Sequence, residues 1–189
     1  ETAPKVNIND KDVFTEDVEI TVEDENDVTI TLTKDEQALE DTSKTSGDGI
    51  YTLTVIDKSF NETKVTFTVD GTKPVFNGLE DGKHYEEITI DVEDLTNTGI
   101  MISQDYQPEI LIQNGTTIAI EGTFTLTATD EAGNSNTITV VVDKNAPTIE
   151  RTSDVEYPTA DEKVTIKDRY LNTVVVEGPE QEGTYTEFT

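Results

Sequence analysis

The feature that most constrains this chain is an internal repeat whose segments alternate threonine with aliphatic side chains. Gly49-Ile-Tyr-Thr-Leu-Thr-Val-Ile-Asp57 matches Gly122-Thr-Phe-Thr-Leu-Thr-Ala-Thr-Asp130, 73 residues further on. The match runs on without a gap. Val65-Thr-Phe-Thr-Val-Asp70 aligns with Ile138-Thr-Val-Val-Val-Asp143, and Thr72-Lys-Pro74 with Asn145-Ala-Pro147. Upstream, Val18-Glu-Ile-Thr-Val-Glu-Asp24 aligns with Ile88-Thr-Ile-Asp-Val-Glu-Asp94. A third copy begins at Pro147, places Val164-Thr-Ile-Lys-Asp168 at the equivalent position, and ends on a segment, 183–189, that matches the start of the Gly49 and Gly122 strands. A recurrence of this kind marks one folding unit used several times. It divides the chain into repeats at 1–73 and 74–146 and a partial repeat at 147–189.

Within each repeat the period is two. Tyr51, Leu53 and Val55 alternate with Thr52, Thr54 and Ile56, and Phe124, Leu126 and Ala128 alternate with Thr125, Thr127 and Thr129. Successive side chains of a strand point to opposite faces, so this pattern buries one face and leaves threonine on the other. Composition agrees: Thr, Val and Ile together supply 67 of 189 residues while Leu supplies 8, and β-branched side chains suit a pleated surface better than a helix. Asp57-Lys-Ser-Phe-Asn61 and Asp130-Glu-Ala-Gly-Asn134 lie between the last two strands of their repeats and read as hairpin turns, with Phe60 at the position of Gly133 the weaker of the two. Residues 34–41 carry five charges against one Leu and one Ala and are expected to be a solvated loop or a single turn. The fold class implied is all-β: tandem antiparallel sandwiches, end to end, the third incomplete. The junctions 70–74 and 143–147 are short and each closes on a proline, which predicts stiff elbows and a rod.

Charge and residue types remove several functions. The net charge is −28, with 41 acidic and 13 basic residues, and no segment is a basic patch, so a nucleic-acid partner is not expected. No apolar run approaches the roughly 20 residues needed to cross a bilayer, so no membrane insertion is expected in this segment. Cysteine is absent, which leaves neither disulfide nor thiolate chemistry. Glu1 is no natural start and no signal peptide is read in the chain, so it is expected to be an excised mature fragment.

The run Gly122-Thr-Phe-Thr-Leu-Thr-Ala-Thr-Asp-Glu-Ala-Gly-Asn134, followed by Val142-Asp-Lys-Asn-Ala-Pro147, resembles the repeats of bacterial immunoglobulin-like domains. The resemblance covers both complete repeats and most of the third. It implies an immunoglobulin-like sandwich in a secreted or cell-surface protein, where such repeats serve as stalks, adhesins, surface-layer components and spacers of secreted enzymes. The partners it implies are other repeats or domains of the same surface protein, with a host protein or a glycan as further candidates. The first repeat departs from the pattern at Asp57-Lys-Ser-Phe-Asn61 and at Gly71-Thr-Lys73.

Catalysis is not expected. The one histidine, His84, lies in Gly82-Lys-His-Tyr85 without a nucleophile partner, and a small sandwich offers little interior in which to raise a carboxyl pKa for general-acid work. A Lys–Asn crosslink needs a buried lysine, and the second repeat has only Lys83 and Lys144, both beside turns. A glycan site calls for an aromatic platform; the chain lacks Trp, and Tyr106 beside Pro108 is the one candidate. The sharper expectation is calcium at the junctions, because carboxylate and carbonyl oxygens suit that ion. In an immunoglobulin-like unit, the loop after the second strand and the last hairpin turn face the preceding junction. The first junction would gather Asp70, Glu93, Asp94, Asp130 and Asn134, and the second Asp143, Asn145 and Asp168. Asp143-Lys-Asn-Ala-Pro147 is similar to part of the cadherin linker motif, with Lys144 where a further acid would help. Such extracellular sites are weak, on the order of 10⁻⁴–10⁻³ M. The third repeat, lacking its last strands, would leave a sheet edge, for which a fragment boundary is favoured over a strand donated by another chain.

Overall fold

The computed structural model describes residues 2–151, 164–171, 173–177 and 182–185. The first repeat holds β1 (Lys5–Val6), β2 (Val13–Phe14), β3 (Val22–Glu23), β4 (Val28–Lys34), β5 (Gln37–Ala38), β6 (Gly49–Asp57) and β7 (Glu62–Val69). One sheet has the order β2-β7-β6-β4-β5, with β2 parallel to β7 and the other pairs antiparallel. The facing layer pairs β1 with β3 and bridges Glu19 to Lys44. The second repeat holds β8 (Val75–Phe76), β9 (His84–Tyr85), β10 (Ile88–Thr89), β11 (Val92–Glu93), β12 (Gly99–Gln104), β13 (Ile110–Ile112), β14 (Thr117–Ile118), β15 (Gly122–Thr129) and β16 (Ser135–Val142). It repeats the arrangement: β13-β12-β15-β16-β9 in one layer, β8 with β11 and β10 with β14 in the other. Among the described residues no helix occurs.

The alternation decides which faces meet. Leu53, Val55, Phe67 and Val69 pack in one core with Leu32 and Tyr51, and Leu126, Ala128, Val140 and Val142 pack in another with Ile100 and Ile102. The cores are separate clusters, one drawn from residues 8–69 and the other from 76–142. Outward threonines meet across the strands: Thr125 with Thr139 (3.4 Å), Thr127 with Thr137 (3.1 Å), Thr52 with Thr66 (3.3 Å). Such pairs help to fix register on a solvated face. The fold is a tandem of immunoglobulin-like sandwiches. The topology has the two layers and the strand succession of that fold, and the first repeat adds a tyrosine corner. Tyr51, near the start of β6, is fully buried, donates from its hydroxyl to the Gly47 carbonyl (2.7 Å) and accepts from the Ser46 amide (3.0 Å). In the second repeat Phe124 stands there and makes no such bond.

Two local expectations change. Residues 34–41 do not form a loop or a lone turn: Lys34 ends β4, Asp35 and Glu36 make a two-residue turn with positive φ (47° and 68°), and β5 returns beside β4. Charge density misled there because an edge hairpin keeps most side chains in water and shows no alternation. The turn at Phe60 closes as well as its glycine counterpart. Phe60 takes φ 63° where Gly133 takes 94°, and in both turns the opening Asp accepts from the Asn amide four residues on, at 2.8 Å.

In the third repeat β17 (Thr148–Arg151) pairs with β18 (Val164–Lys167), and β19 (Val174–Glu177) pairs with β20 (Glu182–Tyr185). The second pairing is antiparallel, like that of β12 with β15. Residues 186–189 of the repeat match lie outside the described residues.

Candidate metal centre at the first junction

Three elements deliver an acid each to the seam between the first two sandwiches. Asp70 ends the run that continues β7, Asp94 follows β11, and Asp130 opens the turn between β15 and β16. One carboxylate oxygen from each lies within 4.8 Å of the others. Asp70 is fully buried (0% exposed) and Asp130 is buried; Asp94 is half-buried.

The surrounding bonds hold two of the three acids firmly. Asp70 accepts from the Thr96 hydroxyl (2.8 Å) and its amide donates to the Phe14 carbonyl (2.8 Å). Its own carbonyl accepts from Asn134 Nδ2 (2.8 Å), which also donates to Asp130 Oδ2 (2.8 Å). Asn134 therefore ties the last turn of the second sandwich to the end of the first. Its amide nitrogen faces the acids, so it works as a strut and not as an oxygen ligand. Asp94 differs from both. Its Oδ2 is shut off from solvent and has no hydrogen-bond partner. In the first and third repeats the matching acids fold back locally: Asp24 accepts from the Asn26 amide (2.7 Å) and Asp168 from the Tyr170 amide (2.7 Å). Asp94 also accepts from the adjacent Leu95 amide, but it stands within the acidic group and its Oδ2 stays unbonded.

The electrostatics follow. Burial pushes the Asp94 carboxyl above its ordinary value; a bond from the Leu95 amide opposes this, and the charges of Asp70 and Asp130 raise it further. Two unit charges 4.8 Å apart repel by about 3 kcal/mol at an effective dielectric of 20. A group that holds three such charges calls for a counterion or a proton.

Other predicted ligands fall elsewhere. Glu93 alternates with the buried Val92, is exposed, and stands outside the three-acid group. The set expected at the second junction, Asp143, Asn145 and Asp168, has only two acids, and among the described residues the group of three acids is that of Asp70, Asp94 and Asp130. Asn145 is held through its amide by Glu121 Oε1 (3.0 Å), which also accepts from the Lys144 amide (3.3 Å). Asp48 serves the first junction in the same way, accepting from the Gly71 amide (2.8 Å) and the Thr72 hydroxyl. Asp48 and Glu121 are 73 residues apart, each just before a repeat glycine; that signal was legible but carries no chemistry by itself. Arg169 also pairs with Asp105 (3.0 Å), a bond between the second and third repeats that no motif marks. His84 is exposed and meets Tyr170 edge-on at 5.9 Å.

No family model matches the chain, and no curated protein matches it. Solved structures similar to it include tandem immunoglobulin proteins. The insect immune protein hemolin is 14% identical, with 75% of this chain and 46% of that one covered and a TM-score of 0.37. A chain from the complex of Dpr2 and DIP-Theta immunoglobulin domains is 10% identical, with 79% and 70% covered and a TM-score of 0.40. A three-domain immunoglobulin segment of titin is 11% identical, with 99% and 83% covered and a TM-score of 0.35. The chain spans less than half of hemolin's length. At these scores the likeness is one of general architecture, and the assignment of fold rests on the topology described above.

Proposed function

We propose that this chain is a non-catalytic, structural and adhesive stalk segment of a bacterial cell-surface or secreted protein, and that calcium stiffens its first inter-repeat junction. The observation that carries the second part is Asp94, whose Oδ2 is shielded from solvent without a donor and whose carboxylate stands beside two buried acids. The donor set fits the ion. It is all hard oxygen, and calcium–oxygen distances of 2.3–2.6 Å make a span of 4.8 Å between ligand atoms the width of one coordination sphere. Asp70, Asp94 and Asp130 would hold the ion, and water would complete its shell. Because Asp70 belongs to the first sandwich while Asp94 and Asp130 belong to the second, a cation there opposes bending at the elbow.

Support for the stalk reading is the repetition of one unit with short, proline-closed junctions and side chains that cap the linker amides. The bacterial surface setting rests on the resemblance of the repeat sequence. Thermal melts and small-angle scattering in about 10 mM calcium, then in chelator, test the proposal. Calcium should raise the melting temperature and narrow the distribution of maximum dimension. Identical curves in the two conditions would remove the metal and leave only the stalk.

A further inference from the structure

The second sandwich has at one side an apolar groove whose counterpart in the first is filled by Leu39. β13 forms the end of its sheet and β14 the end of the facing layer, so both present an unpaired strand edge on the same side. Between these edges lies an apolar groove of about 390 Å³ lined by Ile102, Ile110, Ile118, Ile120 and Phe124. Ile110 sits directly opposite Ile102 in the register. Ile102 is 6% exposed, yet Ile110, on the same inward face, is 62% exposed, because nothing lies across from it. In the first sandwich the matching residue, Leu39, donates its amide to the Leu32 carbonyl (2.9 Å) and packs against the core. β5 likewise ends its sheet, but the gap behind it is filled and the edge is polar, with Gln37 and Glu36 beside it. The second repeat has three more residues between the end of its long strand (Lys34 or Gln104) and the repeat glycine (Gly49 or Gly122), and those residues open the side. Tyr106, 98% exposed with φ 63°, stands at the tip of the adjoining turn. Bonds from the Gln107 amide to the Gln104 carbonyl (2.9 Å) and from the Asp105 amide to the Thr123 carbonyl (2.8 Å) hold that turn, while the ring itself stands in water.

We propose that this open side receives an extended, cationic segment of a partner protein, added as a strand to β13. The unpaired donors and acceptors of an edge select a strand over a helix, since only a strand satisfies them in sequence. The groove selects aliphatic side chains at alternate positions. Charge selects the partner's sign: Glu109 and Glu121 are chain neighbours of the lining residues Ile110 and Ile120, residues 74–146 contain only Lys83 and Lys144 as cations, and Arg169 is committed to Asp105. A second copy, itself carrying −28, would be repelled. The inference uses none of the three acids of the junction and stands or falls apart from calcium.

The experiment is calorimetric titration of the full chain with three short peptides: lysine alternating with valine, glutamate alternating with valine, and a helix-forming lysine–leucine–alanine sequence. The lysine–valine peptide should bind with a dissociation constant on the order of 10–100 μM and weaken about tenfold in high salt, while protecting the amides of 110–112 from hydrogen exchange. Ile110→Lys and, separately, Ile120→Lys should weaken binding at least about tenfold, with Gln37→Lys at the closed edge leaving it unchanged. Equal binding of the glutamate or helical peptide, no binding of any, or indifference to both groove variants would overturn the proposal. So would concentration-dependent dimerisation abolished by Ile110→Lys, which would make a second copy the occupant.

Discussion

Replacing Asp94 by Asn tests the junction most directly, because it removes one charge and keeps the shape. Without metal, Asp94 lies within 4.8 Å of two buried acids, each pair costing from about 1 kcal/mol in a water-like medium to about 3 kcal/mol at a dielectric of 20. Asp94 is only half-buried, so solvent screens part of this repulsion, and Asp94→Asn should stabilise the metal-free protein by about 1–2 kcal/mol at neutral pH. For a unit of this size that is roughly 4–8 °C per kcal/mol. With a dissociation constant of 10⁻⁴–10⁻³ M, about 10 mM calcium stabilises the wild type by about 1.4–2.7 kcal/mol through mass action; the variant should lose most of this. The expected result is a crossing: the variant melts higher in chelator and gains little from calcium. The pH dependence has a definite sign. Asp94 has a folded pKa raised above 3.8, so the folded state binds its proton more tightly, and stability rises as pH falls from neutrality through that folded value toward 3.8. Asp48 and Asp57 are lowered, chiefly by side-chain bonds from Thr72 and Asn61, and their stabilisation is lost only at lower pH. Scanning calorimetry at pH 7 and 5 in chelator separates the two. A variant that melts lower than wild type in chelator, and gains as much from calcium, refutes the account.

Three further outcomes follow from the packing. Leu53→Ala, at a fully buried site, should cost about 2–5 kcal/mol and unfold the first sandwich alone, read by hydrogen exchange as loss of protection in β6 and β7 with β15 and β16 unchanged. Phe60→Gly should be stabilising by about 0.5–1 kcal/mol, since Phe60 is exposed with positive φ; a lower denaturation midpoint would show that the ring has a partner. Glu121→Ala frees the Lys144 and Asn145 amides and should broaden the scattering-derived distance distribution, while melts of β15 and β16 shift by less than about 1 kcal/mol.

The alternation of threonine and aliphatics made β6, β7, β15 and β16 legible, because side-chain direction in a strand depends only on odd or even position. The same local rule could not reach residues 34–41, where an edge hairpin leaves neither face buried. For the junction, the immunoglobulin-like resemblance placed Asp70, Asp94 and Asp130 near one seam, and the sandwich brings those three together. It could not separate the exposed Glu93, last in β11, from the half-buried Asp94 just beyond it, nor see that Asn134 turns its nitrogen to the acids.

Sequence alone determined that this chain forms repeated two-layer β units, since period and offset are properties of order along the chain. Tertiary structure alone decided which oxygens meet and which edges stay open, because both depend on distances between segments far apart in that order. Leu39 and Ile110 make the point: both are aliphatic residues near a sheet edge, and only the packing across the gap closes one side and leaves the other bare.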